Sequence, residues 1–231
     1  MNQYKHLFFD LDHTLWDFER NSQETLLELH DSFELNKFGD FSKKEFLAVF
    51  KTINGNLWKL YDQGLVGREK LRNERFTMVF DALGISDKSM SEEFSDIYLS
   101  SCPKKSNVFP FAIEVLDYLK EVYSLHIITN GFEDIQDTKL KSAGLNNYFD
   151  QVITSESTRF KKPQKEIFEY AMQMTGASKQ DCVMIGDNLE TDIKGAKAAD
   201  IDHILFNPEA FEHNESVTHE INCLSELKSL L

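Results

Sequence analysis

Apolar and polar positions along the chain fall into two textures. The segment His6–Leu11 opens with Leu7-Phe8-Phe9, an apolar run too brief for a helix, and reads as a strand. From Asp17 to about Asn107 helical periodicity takes over. Phe18, Leu26, Leu29 and Phe33 share one helical face, and Phe46, Phe50, Ile53, Leu57 and Leu60 share a second. Leu71, Phe76, Phe80 and Leu83 form a third, and Phe94, Ile97 and Tyr98 mark a shorter fourth helix. Phe41-Ser42 and Gly64-Leu65-Val66-Gly67 stand between these segments as breaks. Packing inside a helical bundle accounts for these aromatics.

After Phe109-Pro110 strands and helices alternate. The pattern predicts a helix from Phe111 to about Val122 and a strand at Leu125–Thr129, then a helix near Ile135–Ala143 and a strand at Gln151–Thr154. A helix from Pro163 through Met174 leads to a strand at Cys182–Ile185, and one over Leu189–Ala199 leads to Ile201–Phe206. Such alternation predicts an α/β fold with a Rossmann-like parallel sheet covered on both faces. The expected organisation is a core domain from residues 1–16 and 108–231, with 17–107 inserted as a helical-bundle cap after the first strand.

Composition narrows the function classes. The 231 residues carry 39 acidic and 25 basic side chains, a net charge of -14, the wrong sign for tracking a nucleic acid polymer. No apolar run approaches the roughly 18 residues of a membrane span. Two carboxylates within Met1–Asp12 interrupt what a signal peptide would need. Cys102, Cys182 and Cys223 are odd in number and show no C-x-x-C spacing, which fits a reducing compartment and no structural zinc. A cytoplasmic monomer or homodimer is the expectation.

Open parallel sheets bind ligands beyond the carboxyl ends of their strands. The first strand ends in Asp10-Leu11-Asp12-His13-Thr14. Residues i and i+2 of an extended segment share a side, so Asp10 and Asp12 are expected to aim into one pocket and to need a cation. Thr129-Asn130-Gly131 offers a hydroxyl and free amides to an oxyanion. Lys161-Lys162-Pro163 places a cation at a helix start, and Gly186-Asp187-Asn188 ends a further strand with Asp192 one turn on.

These four segments, in this order, resemble the four motifs of the haloacid-dehalogenase-like (HAD) hydrolase superfamily. Phe9-Asp10-Leu11-Asp12-His13-Thr14-Leu15-Trp16-Asp17 is similar to the first, Thr129-Asn130-Gly131 to the second and Lys162-Pro163 to the third. Gly186-Asp187-Asn188-Leu189-Glu190-Thr191-Asp192 is similar to the fourth. His13 departs from the pattern, because the commonest first motif has Gly there. A strained backbone with a solvated or packed ring is expected.

The resemblance implies a phosphatase in which Asp10 attacks phosphorus to give an aspartyl-phosphate. Asp12 would protonate the leaving oxygen and then take a proton from water. It implies Mg2+ held by the Asp10 carboxylate, the Asp12 backbone carbonyl and the Asp187 carboxylate, with Asp192 orienting the metal from behind. Thr129, Asn130 and Lys162 would bind the phosphoryl group. In the cap, Asn54, Leu57-Trp58, Tyr61, Gly64, Leu71-Arg72 and Arg75-Phe76 look like the pyrimidine 5′-nucleotidase subgroup. On that likeness Asn54 could read the edge of a base and Trp58 stack on it, against a reading in which they only pack. A sugar-phosphate phosphatase or mutase is the alternative within the superfamily. A 2-haloacid dehalogenase has no need of Asp12, and a phospho-aspartate signalling module is about half as long and lacks the helical insertion.

Overall fold

The computed structural model describes residues 4–231. The buried apolar run of β1 (His6–Phe9) is followed by α1 (Phe18–Ser32), α2 (Lys43–Asp62), α3 (Arg68–Asn73), α4 (Arg75–Ala82) and α5 (Lys88–Ser101). The alternating part begins with α6 (Ala112–Leu119), β2 (Ser124–Thr129), α7 (Glu133–Ser142) and β3 (Gln151–Thr154). It continues through the single turn α8 (Ser155–Thr158), α9 (Lys165–Thr175) and β4 (Cys182–Gly186). A π-helical turn, Leu189–Ile193, then runs into α10 (Lys194–Ala199), followed by β5 (Asp202–Phe206), β6 (His219–Ile221) and α11 (Leu227–Leu230).

The strands form one six-stranded sheet in the order β3-β2-β1-β4-β5-β6, every neighbouring pair parallel. This is the expected α/β architecture. β1 lies between β2 and β4, with Phe9 level with both Ile127 and Ile185. The three central strands therefore end at one height, which brings Asp10, Thr129 and Asp187 to the same edge. Beneath that edge Phe8, Ile128, Phe168, Met184 and Ala196 belong to one buried apolar cluster.

The chain divides into two compact units: the segment up to Phe18 together with Ser106–Leu231, and Glu19–Lys105. The second unit is entirely helical. Its α2 starts at a capping box, in which the Ser42 hydroxyl accepts from the Glu45 N–H (3.2 Å) and the Glu45 carboxylate accepts from the Ser42 N–H (2.7 Å). Aromatic rings fill its interior. Phe94 has Phe33, Phe46, Phe76 and Phe80 around it at centroid distances of 4.8–6.0 Å.

Three details differ from the sequence pattern. The segment expected as one helix over Leu71–Leu83 is interrupted at Glu74, although the Glu74 N–H still donates to Lys70 O and the Met78 N–H to Glu74 O. The helix around Phe94 is 14 residues rather than a short one, because Asp87 caps the Met90 N–H (2.9 Å) and adds a first turn, Lys88-Ser89-Met90-Ser91, with little apolar signal. The edge strand β6 carries one buried apolar residue, Ile221, too little alternation to read.

Phe94→Ala should destabilise the chain by about 3–5 kcal/mol, the usual cost of emptying a buried aromatic site. A urea titration followed by far-ultraviolet circular dichroism measures it, and a loss below about 1 kcal/mol would contradict the packing described.

Candidate active site

The chain leaves the sheet under tight control at the end of β1. The Asp10 N–H donates to Ile185 O (2.9 Å), extending the ladder by one residue beyond Phe9. Leu11 O then accepts from both Leu15 and Trp16 N–H groups, and the His13 N–H donates to Trp16 O (3.0 Å), which closes a compact turn. His13 occupies the left-handed region at φ 64°, a conformation that favours glycine, so the expected strain is present. Its ring packs on Phe18 at 5.0 Å between centroids.

Lys162, only 2% exposed, reaches across from the loop before α9. Its Nζ lies 2.5 Å from Asp10 Oδ1 and 2.6 Å from Asp192 Oδ1. Asp187 completes the acid group: ligand oxygens of Asp10, Asp187 and Asp192 lie within 4.8 Å of one another. Thr14 Oγ1 donates to Asp187 Oδ1 (3.0 Å). Asp192 is fully buried in the π-helical turn, where its Oδ2 accepts from the Asn188 N–H (3.1 Å). That approach depends on Gly186, since a methyl group there would lie 2.2 Å from Asp192 Oδ2. One Asp192 oxygen lies close enough to those of Asp10 and Asp187 for the three to form a candidate metal group.

One ammonium faces three carboxylates, Asp10 and Asp192 buried and Asp187 half-buried. Burial, reinforced by Asp192 and Asp187, holds the Asp10 carboxyl well above the ordinary range although Lys162 opposes the shift. Burial and the Asp192 charge push Asp187 up to about 7, against the Thr14 hydrogen bond. Burial acts to lower Lys162, but Asp10 and Asp192 outweigh it and its acidity is weakened. An all-oxygen, net negative cluster of this kind suits a hard divalent cation, which would relieve the repulsion.

Asp12 goes elsewhere. Its Oδ1 accepts from Lys139 Nζ (2.6 Å) and its Oδ2 from Gln136 Nε2 (2.8 Å), both on α7. Each of the two carboxylates takes its own ammonium, Lys162 for Asp10 and Lys139 for Asp12. Burial alone would raise Asp12, but the Lys139 charge and the Gln136 bond outweigh it and hold the group below the usual carboxylate range.

Thr129 and Asn130 are both engaged. Thr129 Oγ1 accepts from the Gly131 N–H (3.1 Å) and from Gln136 Nε2 (2.9 Å), so the Gly131 amide, expected free for an oxyanion, is already spent. The Asn130 side chain brackets the Lys162 backbone, donating to Lys162 O (2.9 Å) and accepting from the Lys162 N–H (2.8 Å). Its amide is occupied in fixing Lys162 rather than open to a phosphoryl oxygen. In the Glu19–Lys105 unit Asn54 is buried and accepts from Arg75 Nη1 (3.0 Å), while half-buried Trp58 packs edge-on against Tyr61 at 5.5 Å.

Sequence reading missed Gln136 and Lys139 as site residues. Their one signal was position: Gln136, Lys139 and Leu140 follow a helical spacing that puts two polar side chains beside an apolar one on the inward face.

With this geometry in view, comparison with known proteins is direct. A family model described as haloacid dehalogenase-like hydrolase matches residues 4–200. Pyrimidine 5′-nucleotidase PynA of Streptococcus pneumoniae is 33% identical, covering 99% of this chain and 95% of its own length. Pyrimidine 5′-nucleotidase YjjG of Escherichia coli is 29% identical over 97% of this chain and 96% of its own. The crystal structure of YfnB from Bacillus subtilis, bound to magnesium, superposes with a TM-score of 0.89 at 28% identity, covering 99% of both chains. The chain belongs to the haloacid dehalogenase-like hydrolases and is an enzyme of that family. Among the described residues no helix is long and apolar enough to cross a membrane.

The raised carboxyls make stability depend on pH. The folded state keeps the Asp187 proton up to about pH 7, whereas an unfolded Asp loses it near pH 4. Between those values the unfolded chain binds fewer protons, so the Asp187 share of stability falls as pH rises, by up to about 1.4 kcal/mol per unit. Asp10 acts in the same sense; Asp12, shifted down, matters only as pH falls below its unfolded value. In chelator-treated protein, Asp187→Asn should therefore become progressively more stable than the parent from pH 5 to pH 7. Urea midpoints at each pH test this, and parallel curves for the two proteins would contradict it.

Proposed function

We propose that the chain is a Mg2+-dependent phosphatase that works through an aspartyl-phosphate on Asp10 and takes pyrimidine nucleoside 5′-monophosphates. The observation that carries the reading is the Asp10, Asp187 and Asp192 group, with Lys162 paired to Asp10 and Asp192. Full-length similarity to PynA and YjjG supports the nucleotide class.

The Asp10 and Asp187 carboxylates and the Asp12 backbone carbonyl would hold Mg2+, with Asp192 beside them, and the bound ion would supply positive charge that favours the ionised acids and offsets the charge of a phosphate. The chain's own residues do the rest. Asp10 attacks phosphorus through a carboxylate oxygen, and the bond from phosphorus to the ester oxygen breaks. Protonated Asp12 gives that oxygen its proton; ionised Asp12 then takes one from the water that attacks the aspartyl-phosphate. Lys139 and Gln136 favour the ionised form, the one that takes the proton from water in the second step. Lys162 and Thr129 hold the phosphoryl oxygens and stabilise charge in the transition state. Asn130 serves by holding Lys162. Selection of the base is assigned to Asn54 and Trp58.

The decisive experiment separates the two half-reactions. Asp12→Ala should lose nearly all nucleotide turnover, because a sugar alkoxide leaves poorly without a proton. With an aryl phosphate and saturating Mg2+ it should still release a burst of about one aryl alcohol per site, the fingerprint of covalent catalysis. Asp10→Ala should give neither burst nor turnover. Rapid-quench kinetics reads both, and a burst from Asp10→Ala or steady turnover without one from Asp12→Ala would overturn the roles.

Substrate and metal have their own checks. Activity should vanish with EDTA and return with Mg2+, and uridine or thymidine monophosphate should outperform sugar phosphates in kcat/KM. Asn54→Ala should raise KM for the nucleotide by about tenfold, the scale of one lost hydrogen bond to a substrate, while KM for a small aryl phosphate holds. Equal rises on both substrates would remove Asn54 from base selection.

A further inference from the structure

Gln136 and Lys139 stand three residues apart on α7, so their side chains share one face of the helix. That face is buried, with Gln136 at 0% and Lys139 at 6% exposure. Polar groups so placed need a reason. Lys139 Nζ meets Asp12 Oδ1 at 2.6 Å and lies 4.6 Å from the centre of the Trp16 ring. Gln136 Nε2 donates to two partners at once, Asp12 Oδ2 at 2.8 Å and Thr129 Oγ1 at 2.9 Å.

The orientation of the Gln136 amide is forced. Reversing it would set an oxygen against the Asp12 carboxylate. Its own oxygen, Oε1, is buried with no hydrogen-bond partner. An amide that leaves its acceptor unsatisfied to put both N–H groups on site residues is poorly placed for stability alone. The Thr129 oxygen accepts from Gln136 and from the Gly131 N–H (3.1 Å), which fills both lone pairs and leaves its O–H only the role of donor. Glycine at 131 clears the path, because a methyl group there would sit 1.8 Å from Gln136 Nε2.

We propose that Gln136 and Lys139 are positioning residues for the hydrolytic reaction. Gln136 ties the proton-handling Asp12 and the phosphate-holding Thr129 to one amide and turns the Thr129 O–H outward as a donor. Lys139 fixes the rotamer of the Asp12 carboxylate. The inference rests on the phosphatase reading above and adds to it the device that keeps two working groups in mutual register.

Gln136→Met keeps length and volume and removes both bonds. It should leave the melting temperature unchanged or raise it, since the unsatisfied oxygen goes too, while the inhibition constant of inorganic phosphate rises about tenfold, the scale of one lost hydrogen bond to a charged group. Lys139→Met should slow the first chemical step with a nucleotide at least tenfold, yet leave that step with an aryl phosphate within about twofold, because only the nucleotide needs a placed acid. Lys139→Arg, which keeps the charge, should recover most of the nucleotide rate. Single-turnover rapid quench, phosphate inhibition and thermal melts provide the readouts. If the parent enzyme is active but phosphate inhibition is unmoved in Gln136→Met, the positioning role is wrong. Equal slowing of both leaving groups in Lys139→Met, with a lowered melting temperature, overturns it as well and makes the pair structural. A parent enzyme that releases phosphate from neither substrate overturns the phosphatase reading and this inference together.

Discussion

The ammonium of Lys162, lying between Asp10 and Asp192 with almost no access to water, is the interaction on which the site is built. Neither partner tolerates the other's removal: an unpaired buried charge costs several kcal/mol, so deleting the lysine or an acid leaves a group the interior cannot hold ionised. Much of the local structure serves that contact. The Asn130 side chain grips both the N–H and the carbonyl of Lys162, which couples the end of β2 to the loop before α9. Gly186 ends β4 without a side chain, and the space admits the Asp192 carboxylate. The Asp10 N–H, still bonded to Ile185, keeps the carboxylate within reach.

Asp10 and Asp12 are two residues apart, yet the protein treats them oppositely. Asp10 sits with two other acids and is held up; Asp12 has an ammonium beside it and shares an amide with Thr129, and is held down. Environments that push neighbouring carboxyls apart are how one fold runs different chemistry on like groups. The separation also divides their dependence on a cation. The chain's own residues favour the ionised form of Asp12, whereas around Asp10 burial and the neighbouring acids oppose it.

The sheet was legible in the sequence because strand and helix periods alternate cleanly after Phe109 and because β1 is a purely apolar run. The acids and Lys162 were legible because each falls at a strand end or in the segment that follows one, where an open parallel sheet presents its ligands. Side-chain direction past the strands was not. Once Phe9 is passed, the left-handed turn at His13 governs, and alternation no longer says where Asp12 points. Asn130 and Gly131 read as oxyanion donors for a similar reason: the residue types suit that task, and nothing local reveals that Lys162 and Thr129 claim them first. Gln136 and Lys139 lay hidden in an ordinary amphipathic helix, since a buried lysine is visible only once the partner that permits burial is known.

Charge within the site gives the last constraint. Asp12 and Lys139 cancel. Fully ionised, Asp10, Asp187 and Asp192 against Lys162 would leave two negative charges, on a chain whose net charge is already -14. A phosphate dianion would meet repulsion at long range and again at contact, and the Thr129 hydroxyl is a weak counterweight. One divalent cation brings the cluster to neutrality. The incoming phosphate then faces an uncharged site with an ammonium and a fixed O–H directed at its oxygens. On the proposed reading, a cation bound at this cluster would both favour ionised Asp10 and lower the barrier to the phosphate.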